Sequence, residues 1–271
     1  MKKNKWLGAS IFLALLVAWG VLYFRSGDSA VEFFPERTFD VFPLNDSAMG
    51  GFSTSEVQLT DTLLIASVNI HSGRAFTYAG AGFNLKSVDR RPVGLYDLTK
   101  FDSMEVRVAS KRMNSMKLRI LTDDPVYTRN GDYATLRVLE KDIPSAPYLL
   151  MGGSKERFAV SKIALSEFKV PEWWLSSQGL EKDDGMTYLG RASFFEIVSG
   201  GSTLRGIPDE MEIRYVRLWK DNADDRKTLY GMLAGILLGL VLFCVYALKS
   251  RGGKNAKKQN KAKQNASKHS V

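Results

Sequence analysis

Met104-Glu105-Val106-Arg107-Val108 and, a turn later, Met116-Lys117-Leu118-Arg119-Ile120 alternate apolar and charged side chains residue by residue. Successive side chains on a strand point to opposite faces, so each stretch reads as a strand with one buried and one polar face. The period of two recurs over residues 63–70, 75–83, 134–139, 157–163, 194–199 and 211–219. In the last of these the apolar phase flips between Tyr215 and Val216, which predicts a bulge. Asn130-Gly131-Asp132 and Gly200-Gly201-Ser202 read as turns. Helical spacing is confined to residues 162–168 or 176–180. Eight or more strands without intervening helices predict an all-β antiparallel β-sandwich, and the length fits a jelly roll.

Two other stretches differ in texture. Residues 6–24 and 229–248 are uncharged and mostly apolar over 19 and 20 residues, the length a helix needs to cross a bilayer core. Both predict transmembrane α-helices flanking the sandwich. The alternative for the first is a cleavable signal peptide, but its apolar run is longer than a usual h-region, and Arg25 and Asp28 spoil a small-residue cleavage site. The 271 residues carry a net charge of +9, and that charge is unevenly placed. Residues 1–25 hold four basic groups and residues 249–271 hold eight, neither with any acid. Residues 26–248 hold the other 26 Lys and Arg against all 29 acids, a net of −3. The positive-inside rule puts both chain ends in the cytoplasm. The expected organisation is a cytoplasmic N-terminus (1–5), a membrane helix (6–24), a linker (25–30), a periplasmic domain (31–222), a second membrane helix (229–248) and a basic cytoplasmic tail (249–271). The localisation this describes is a two-pass protein of a bacterial inner membrane. The charge reports topology in the bilayer, and no nucleic-acid partner is expected.

The tail is Lys, Asn, Gln, Ala and Ser and is too polar to bury a core, so disorder is expected. It is expected to act as a stop-transfer anchor that only sets topology, with contact to anionic lipid or nucleic acid the alternative. Within the helices, Ser10, Ala14 and Ala18, and likewise Gly231, Gly235 and Gly239, recur every fourth residue. Such ladders let helix backbones approach closely, or reflect only how common small residues are in membrane helices. Cys244 is the single cysteine and lies in the second helix, so the central domain folds without disulfides.

Asn45-Asp46-Ser47-Ala48-Met49-Gly50-Gly51-Phe52-Ser53 resembles the Asn-Asp-x-x-Met-Gly-Gly-x-Ser signature of the complex I intermediate-associated protein 30 domain, a galactose-binding-like jelly roll. The later spacing is also similar to family 11 carbohydrate-binding modules. It comprises Tyr78-Ala79-Gly80-Ala81-Gly82, Asp97-Leu98-Thr99-Lys100-Phe101-Asp102, Phe168-Lys169-Val170-Pro171-Glu172-Trp173-Trp174 and the closing Arg217-Leu218-Trp219. Exported sensor regions of some bacterial signalling proteins share this arrangement. Those proteins carry a cytoplasmic output module, whereas only 23 residues follow the second helix here. In the signature itself, Gly50 and Gly51 suit positive φ or close backbone approach, and Asn45 and Asp46 can bond nearby amides. With Met49 and Ser53 they read as a structural corner. The resemblance also implies a possible structural calcium ion; no other metal or cofactor is expected.

Catalytic signatures are missing. His71 and His269 are the only histidines, no Gly-x-Ser-x-Gly elbow occurs, and the Gly-Gly pairs at 50, 152 and 200 lack the Lys-Ser/Thr of a phosphate loop. Asp123-Asp124 and Asp183-Asp184 leave a two-carboxylate glycosidase as the weakest reading, and no enzyme is expected. Sugar binding needs aromatic faces beside a few placed polar groups. The candidate ligand residues are Tyr127, Arg129, Asn130, Asp132 and Tyr133 on one loop, with Trp173 and Trp174 on another. If 173–174 is extended, at most one Trp is core; the alternative is that both pack at the sandwich edge or the membrane interface. The leading expectation is a membrane-anchored extracytoplasmic binding module for carbohydrate or another cell-envelope ligand, sensing or docking with a membrane or signalling protein. The rival is an assembly or scaffold factor for a membrane complex.

Overall fold

The computed structural model describes residues 3–25, 29–36, 39–73, 77–88, 91–149, 157–220 and 227–245. The tail at 249–271, the end of the second apolar stretch, residues 26–28 of the linker 25–30, Gly152 and the first residues of the strand expected at 75–83 lie outside the described residues. The chain divides into two compact units, Ser29–Asp221 and the terminal segments Met1–Asp28 and Asn222–Val271. Its helices are α1 (Lys3–Arg25), α2 (Glu172–Ser177) and α3 (Lys227–Val245).

The central unit is a two-layer antiparallel sandwich. In chain order its strands are β1 (Ser29–Phe34), β2 (Phe39–Asn45), β3 (Thr54–Leu59), β4 (Leu64–Asn69), β5 (Ala79–Val88), β6 (Arg91–Pro92), β7 (Ser103–Ser110), β8 (Ser115–Thr122), β9 (Arg137–Pro144), β10 (Ala159–Ala164), β11 (Ala192–Ser199) and β12 (Asp209–Lys220). One sheet runs β10-β7-β12-β4-β3, with β1 also paired to β12; the other runs β2-β5-β11-β8-β9, with β6 on β5. The alternation that marks β7 and β8 takes effect as expected. Met104, Val106 and Val108 from one sheet and Met116, Leu118 and Ile120 from the other are fully buried in a common core. Glu105, Arg107, Lys117 and Arg119 alternate with them. The register of β12 against β7 shifts between Ile213 and Tyr215, one step ahead of the phase flip in the sequence.

Three local readings are corrected. Residues 134–135 belong not to a strand but to a 3-10 turn, Tyr133–Thr135, because the Asp132 carboxylate accepts from Ala134 N at 3.2 Å and caps it. The helical spacing at 162–168 resolves into β10 and a 3-10 turn, Leu165–Glu167. The helix read at 176–180 starts earlier, at Glu172, whose charge suits a helix N-terminus, and it stops at Gly179, which has φ 69°.

The 45–53 signature closes on itself. Asn45 Oδ1 accepts from Ser47 N at 3.0 Å, and Gly50 takes the left-handed φ of 74° that ends the 3-10 turn Asp46–Met49. Asp46 is fully buried, its two oxygens accepting from Ser53 N and Ser53 Oγ at 2.9 Å each. A methyl group at Gly51 would lie 2.1 Å from Asp46 Cγ, and that carboxylate, held from both sides, cannot yield. Gly51→Ala is therefore expected to lower stability by about 2 kcal/mol, read from the denaturant midpoint.

In the terminal unit, α3 is long and apolar enough to cross a membrane by length and composition, while the described apolar part of α1 is the shorter Ser10–Tyr23. Trp19 Nε1 donates to Leu229 O at 2.7 Å, Tyr23 meets Tyr230 with ring centroids 6.0 Å apart, and Phe12 meets Phe243 at 5.8 Å. Of the two small-residue ladders, Ala18 and Gly235 line an apolar groove with Phe12, Trp19 and Met232. A Cβ at Gly239 would touch the Phe12 ring at 3.4 Å, whereas Gly231 has open space beside it and Ser10 and Ala14 are exposed.

Candidate functional site

Polar and aromatic groups converge on the face of the β2-β5-β11-β8-β9 sheet that points away from the core. Strand register sets them in rows: Gly82, Glu196, Arg119 and Glu140 are cross-strand neighbours from β5 to β9, and Gly80, Val198, Lys117 and Asp142 form the next row. Two elements fold over this face. One is the 123–136 loop, which carries Tyr133. The other is the segment ending in α2, tied to β9 by Glu140 N donating to Lys169 O at 2.7 Å and Lys169 N to Glu140 O at 3.1 Å. Leu44, Tyr78 and Val198, with Phe42 and Tyr133 packed on them, form a small second apolar cluster there.

Between these elements lies a cavity of about 220 Å³, lined by Met49, Tyr78, Tyr133, Trp173, Arg119 and Glu196 among others. An adjoining cavity of about 190 Å³ shares Tyr78, Arg119 and Trp173 and extends to Lys117 and Arg205. The Arg119 guanidinium stands at the junction, 4.6 Å from the Tyr78 ring centroid and 5.6 Å from that of Trp173. Glu140 organises this junction. It accepts from Arg119 Nε at 2.7 Å, Lys117 Nζ at 2.8 Å and Trp173 Nε1 at 3.2 Å, so one carboxylate orients two cations and an indole.

Glu196 forms the floor. It is fully buried, with Oε1 accepting from Tyr133 Oη at 2.5 Å and Oε2 without a partner. Burial pushes its carboxyl up to about 7, against the opposing pull of Arg119 and the Tyr133 bond. Burial and the adjacent Glu196 also push the Tyr133 hydroxyl well above the ordinary tyrosine value, which keeps it a donor.

A second polar cluster supports the overlying elements. Arg137, fully buried, donates from Nη1 to Asp124 Oδ2 at 2.8 Å and from Nη2 to Asp183 Oδ1 at 2.8 Å and Asp184 Oδ1 at 2.5 Å. Its guanidinium lies 5.2 Å from the Trp174 ring centroid. The two acid pairs of the sequence thus contribute Asp124, Asp183 and Asp184 to one guanidinium. Among the described residues no group of three or more His, Cys, Asp or Glu side chains is placed to hold a metal ion.

The sequence candidates separate in space. Tyr133, Trp173 and Trp174 line the cavity, Trp174 from a position that is almost fully buried. Trp173 and Trp174 sit on α2 rather than on an extended loop, so they diverge by the helical step: Trp173 is half-buried toward the cavity, while Trp174 is buried, donating from Nε1 to Leu136 O at 2.8 Å. Tyr127 packs edge-on against Trp174, with centroids 5.6 Å apart, and acts as a buttress. Arg129, Asn130 and Asp132 are exposed on the turn outside the cavity, Asn130 with φ 50°. Met49, from the signature read as structural, is on the cavity wall. The sequence reading missed Tyr78, Lys117, Arg119, Glu140, Glu196 and Arg205. The one local signal was Glu196, a lone charge in Phe194-Phe195-Glu196-Ile197-Val198.

No family model and no curated protein sequence matches the chain. Solved structures similar to it include the family 11 carbohydrate-binding module from Clostridium thermocellum in complex with a β-1,3-1,4-mixed-linked tetrasaccharide. That match has 11% identity and a TM-score of 0.43, over 71% of this chain and 95% of that one. A family 30 carbohydrate-binding module is similar at 11% identity and TM-score 0.38, over 70% and 98% of the respective chains. The xylan-binding module CBM15 follows at 11% and 0.36, over 72% and 97%.

Proposed function

We propose that the protein is a membrane-anchored binding module whose central sandwich holds a carbohydrate or related cell-envelope ligand on the extracytoplasmic side. The observation that carries this reading is the joined cavity over β8 and β11. Trp173, Tyr78 and Tyr133 supply apolar faces for the C–H patches of a sugar ring, and Arg119 and the unpartnered Glu196 Oε2 supply directional bonds to its hydroxyls. The anchor rests on the apolar character of α3 and of residues 6–24, and the orientation on the basic ends. Titration of the full chain in detergent with an oligosaccharide panel tests the reading. Trp173→Ala is expected to weaken binding at least ten-fold, about 1.4 kcal/mol, with the melting temperature little changed because Trp173 is only half-buried. Equal affinity in the variant, or binding to no saccharide, would overturn it.

The apolar groove beside Ala18 and Gly235 favours a second reading, in which the helices dock a membrane partner that reads occupancy or is itself assembled by this chain. Co-purification of a stoichiometric membrane protein in mild detergent, lost in Gly235→Leu, is the expected result.

A further inference from the structure

The two halves of the cavity differ in charge. The half beyond Arg119 is lined by three cations, Lys117, Arg119 and Arg205, and by the hydroxyl groups of Ser199 and Thr203 beside Gly200 and Gly201; no Asp or Glu lines it. Lys117 and Arg119 share a single carboxylate, Glu140, and Arg205 forms no ion pair among the described residues, so this half keeps a positive surplus. The other half lacks that surplus: its aromatic walls enclose one cation, Arg119, and the Glu196 carboxyl, one oxygen of which has no partner. In the strand register Glu196 lies opposite Arg119, while Lys117 lies opposite Val198, two residues along. Glu196 and Lys117 are thus offset by roughly 7 Å along the strands, a span that one sugar ring and its exocyclic acid group can cover.

Resting on the carbohydrate reading above, we infer that the ligand is an acidic saccharide, a chain of uronic acid or sulfated sugar, rather than a neutral glycan. A ring lies in the aromatic half with a hydroxyl donating to Glu196 Oε2, and its carboxylate or sulfate lies between Lys117 and Arg205. The reverse placement takes the anion away from Lys117 and Arg205 and sets it beside the buried Glu196 carboxyl, so the cavity fixes the direction of the chain as well as its class. Exposed as Arg205 is, its attraction is screened by salt, whereas stacking is not.

Titration of the full chain in detergent with oligogalacturonate, chondroitin sulfate oligomer and cellotetraose tests this directly. The expected result is that at least one acidic oligomer binds ten-fold or more tightly than cellotetraose in low salt, and that the preference shrinks in 0.5 M NaCl (roughly, a Debye length of a few Å). Arg205→Ala, at an exposed position that leaves Glu140 undisturbed, is expected to weaken acidic binding several-fold, and Lys117→Met with Arg205→Ala more than ten-fold. Cellotetraose bound as tightly as the acidic oligomers would overturn the inference and leave the carbohydrate reading standing. A preference that survives both basic substitutions would overturn the placement. Binding to none of the three would remove both.

Discussion

Arg137→Ala is expected to destabilise the sandwich by about 4 kcal/mol, because removing one partner of a buried ion pair leaves the other charge uncompensated in a low-dielectric interior. Arg137 and Asp124 both have side chains 0% exposed, and Asp124 also accepts from Val126 N at 2.8 Å, so it cannot swing out to water without unfolding its turn. Asp183 and Asp184, 37% and 48% exposed, are screened by solvent and add little. Chemical denaturation of the full chain in detergent measures the loss. Asp124→Asn combined with Arg137→Met should recover much of it, since removing both charges removes the orphan. A loss below 1 kcal/mol in Arg137→Ala would show that Asp124 finds another partner. The substitution should also weaken the saccharide binding proposed above, because the bond to Asp124 and the packing on Trp174 hold the loop bearing Tyr133 and the helix bearing Trp173.

The strands that were legible in the sequence are those with one face in the core and one face charged. In β7, β8 and β12 the polar phase is carried mainly by Glu, Lys or Arg, so the period of two stands out. β1, β2, β3 and the two-residue β6 escaped, β2 and β3 for different reasons. β2, Phe39–Asn45, carries Phe42 and Leu44 on the outer face, where they meet Tyr78 and Tyr133, so both phases are apolar and Pro43 interrupts it. β3, Thr54–Leu59, is a sheet-edge strand with no fully buried residue and offers little contrast.

The site was half legible for a related reason. Tyr133 and Trp173 stand out because aromatic residues next to turn signals are unusual, and the covering elements bring both to the cavity. Arg119 and Lys117 read only as the solvent phase of a strand. Nothing local shows that α2, about 50 residues further on, closes over that phase and converts it into a lining. Trp173 and Trp174 show the limit most directly. Their identity is chemical information, but the six-residue α2 is too short to carry a helical pattern, and its roughly 100° step per residue decides which ring stands half-exposed at the cavity and which is buried behind it.

Stability is expected to fall as pH rises from about 4.5 to about 7, by on the order of 3 kcal/mol from Glu196 alone. The sign follows from proton counts. The folded carboxyl holds its proton up to about 7, whereas an exposed glutamate releases it near 4.5. Between those values the folded chain binds more protons than the unfolded one, so raising the pH favours unfolding; above about 7 both forms are ionised and the slope vanishes. The groups that set the folded value are those around it: burial first, then Arg119 and the Tyr133 hydroxyl, which favour the charge, and Glu140, which opposes it. Asp209, also raised by burial, titrates in the same direction elsewhere in the sandwich, so the parent curve alone does not isolate Glu196. Glu196→Gln does. It keeps an oxygen to accept from Tyr133 and cannot ionise, so thermal melts of the two proteins should coincide near pH 4.5 and diverge with rising pH, the variant melting higher at pH 8. A constant difference between parent and variant across that range would mean that the buried carboxyl keeps its charge through partners other than those it has at the cavity floor.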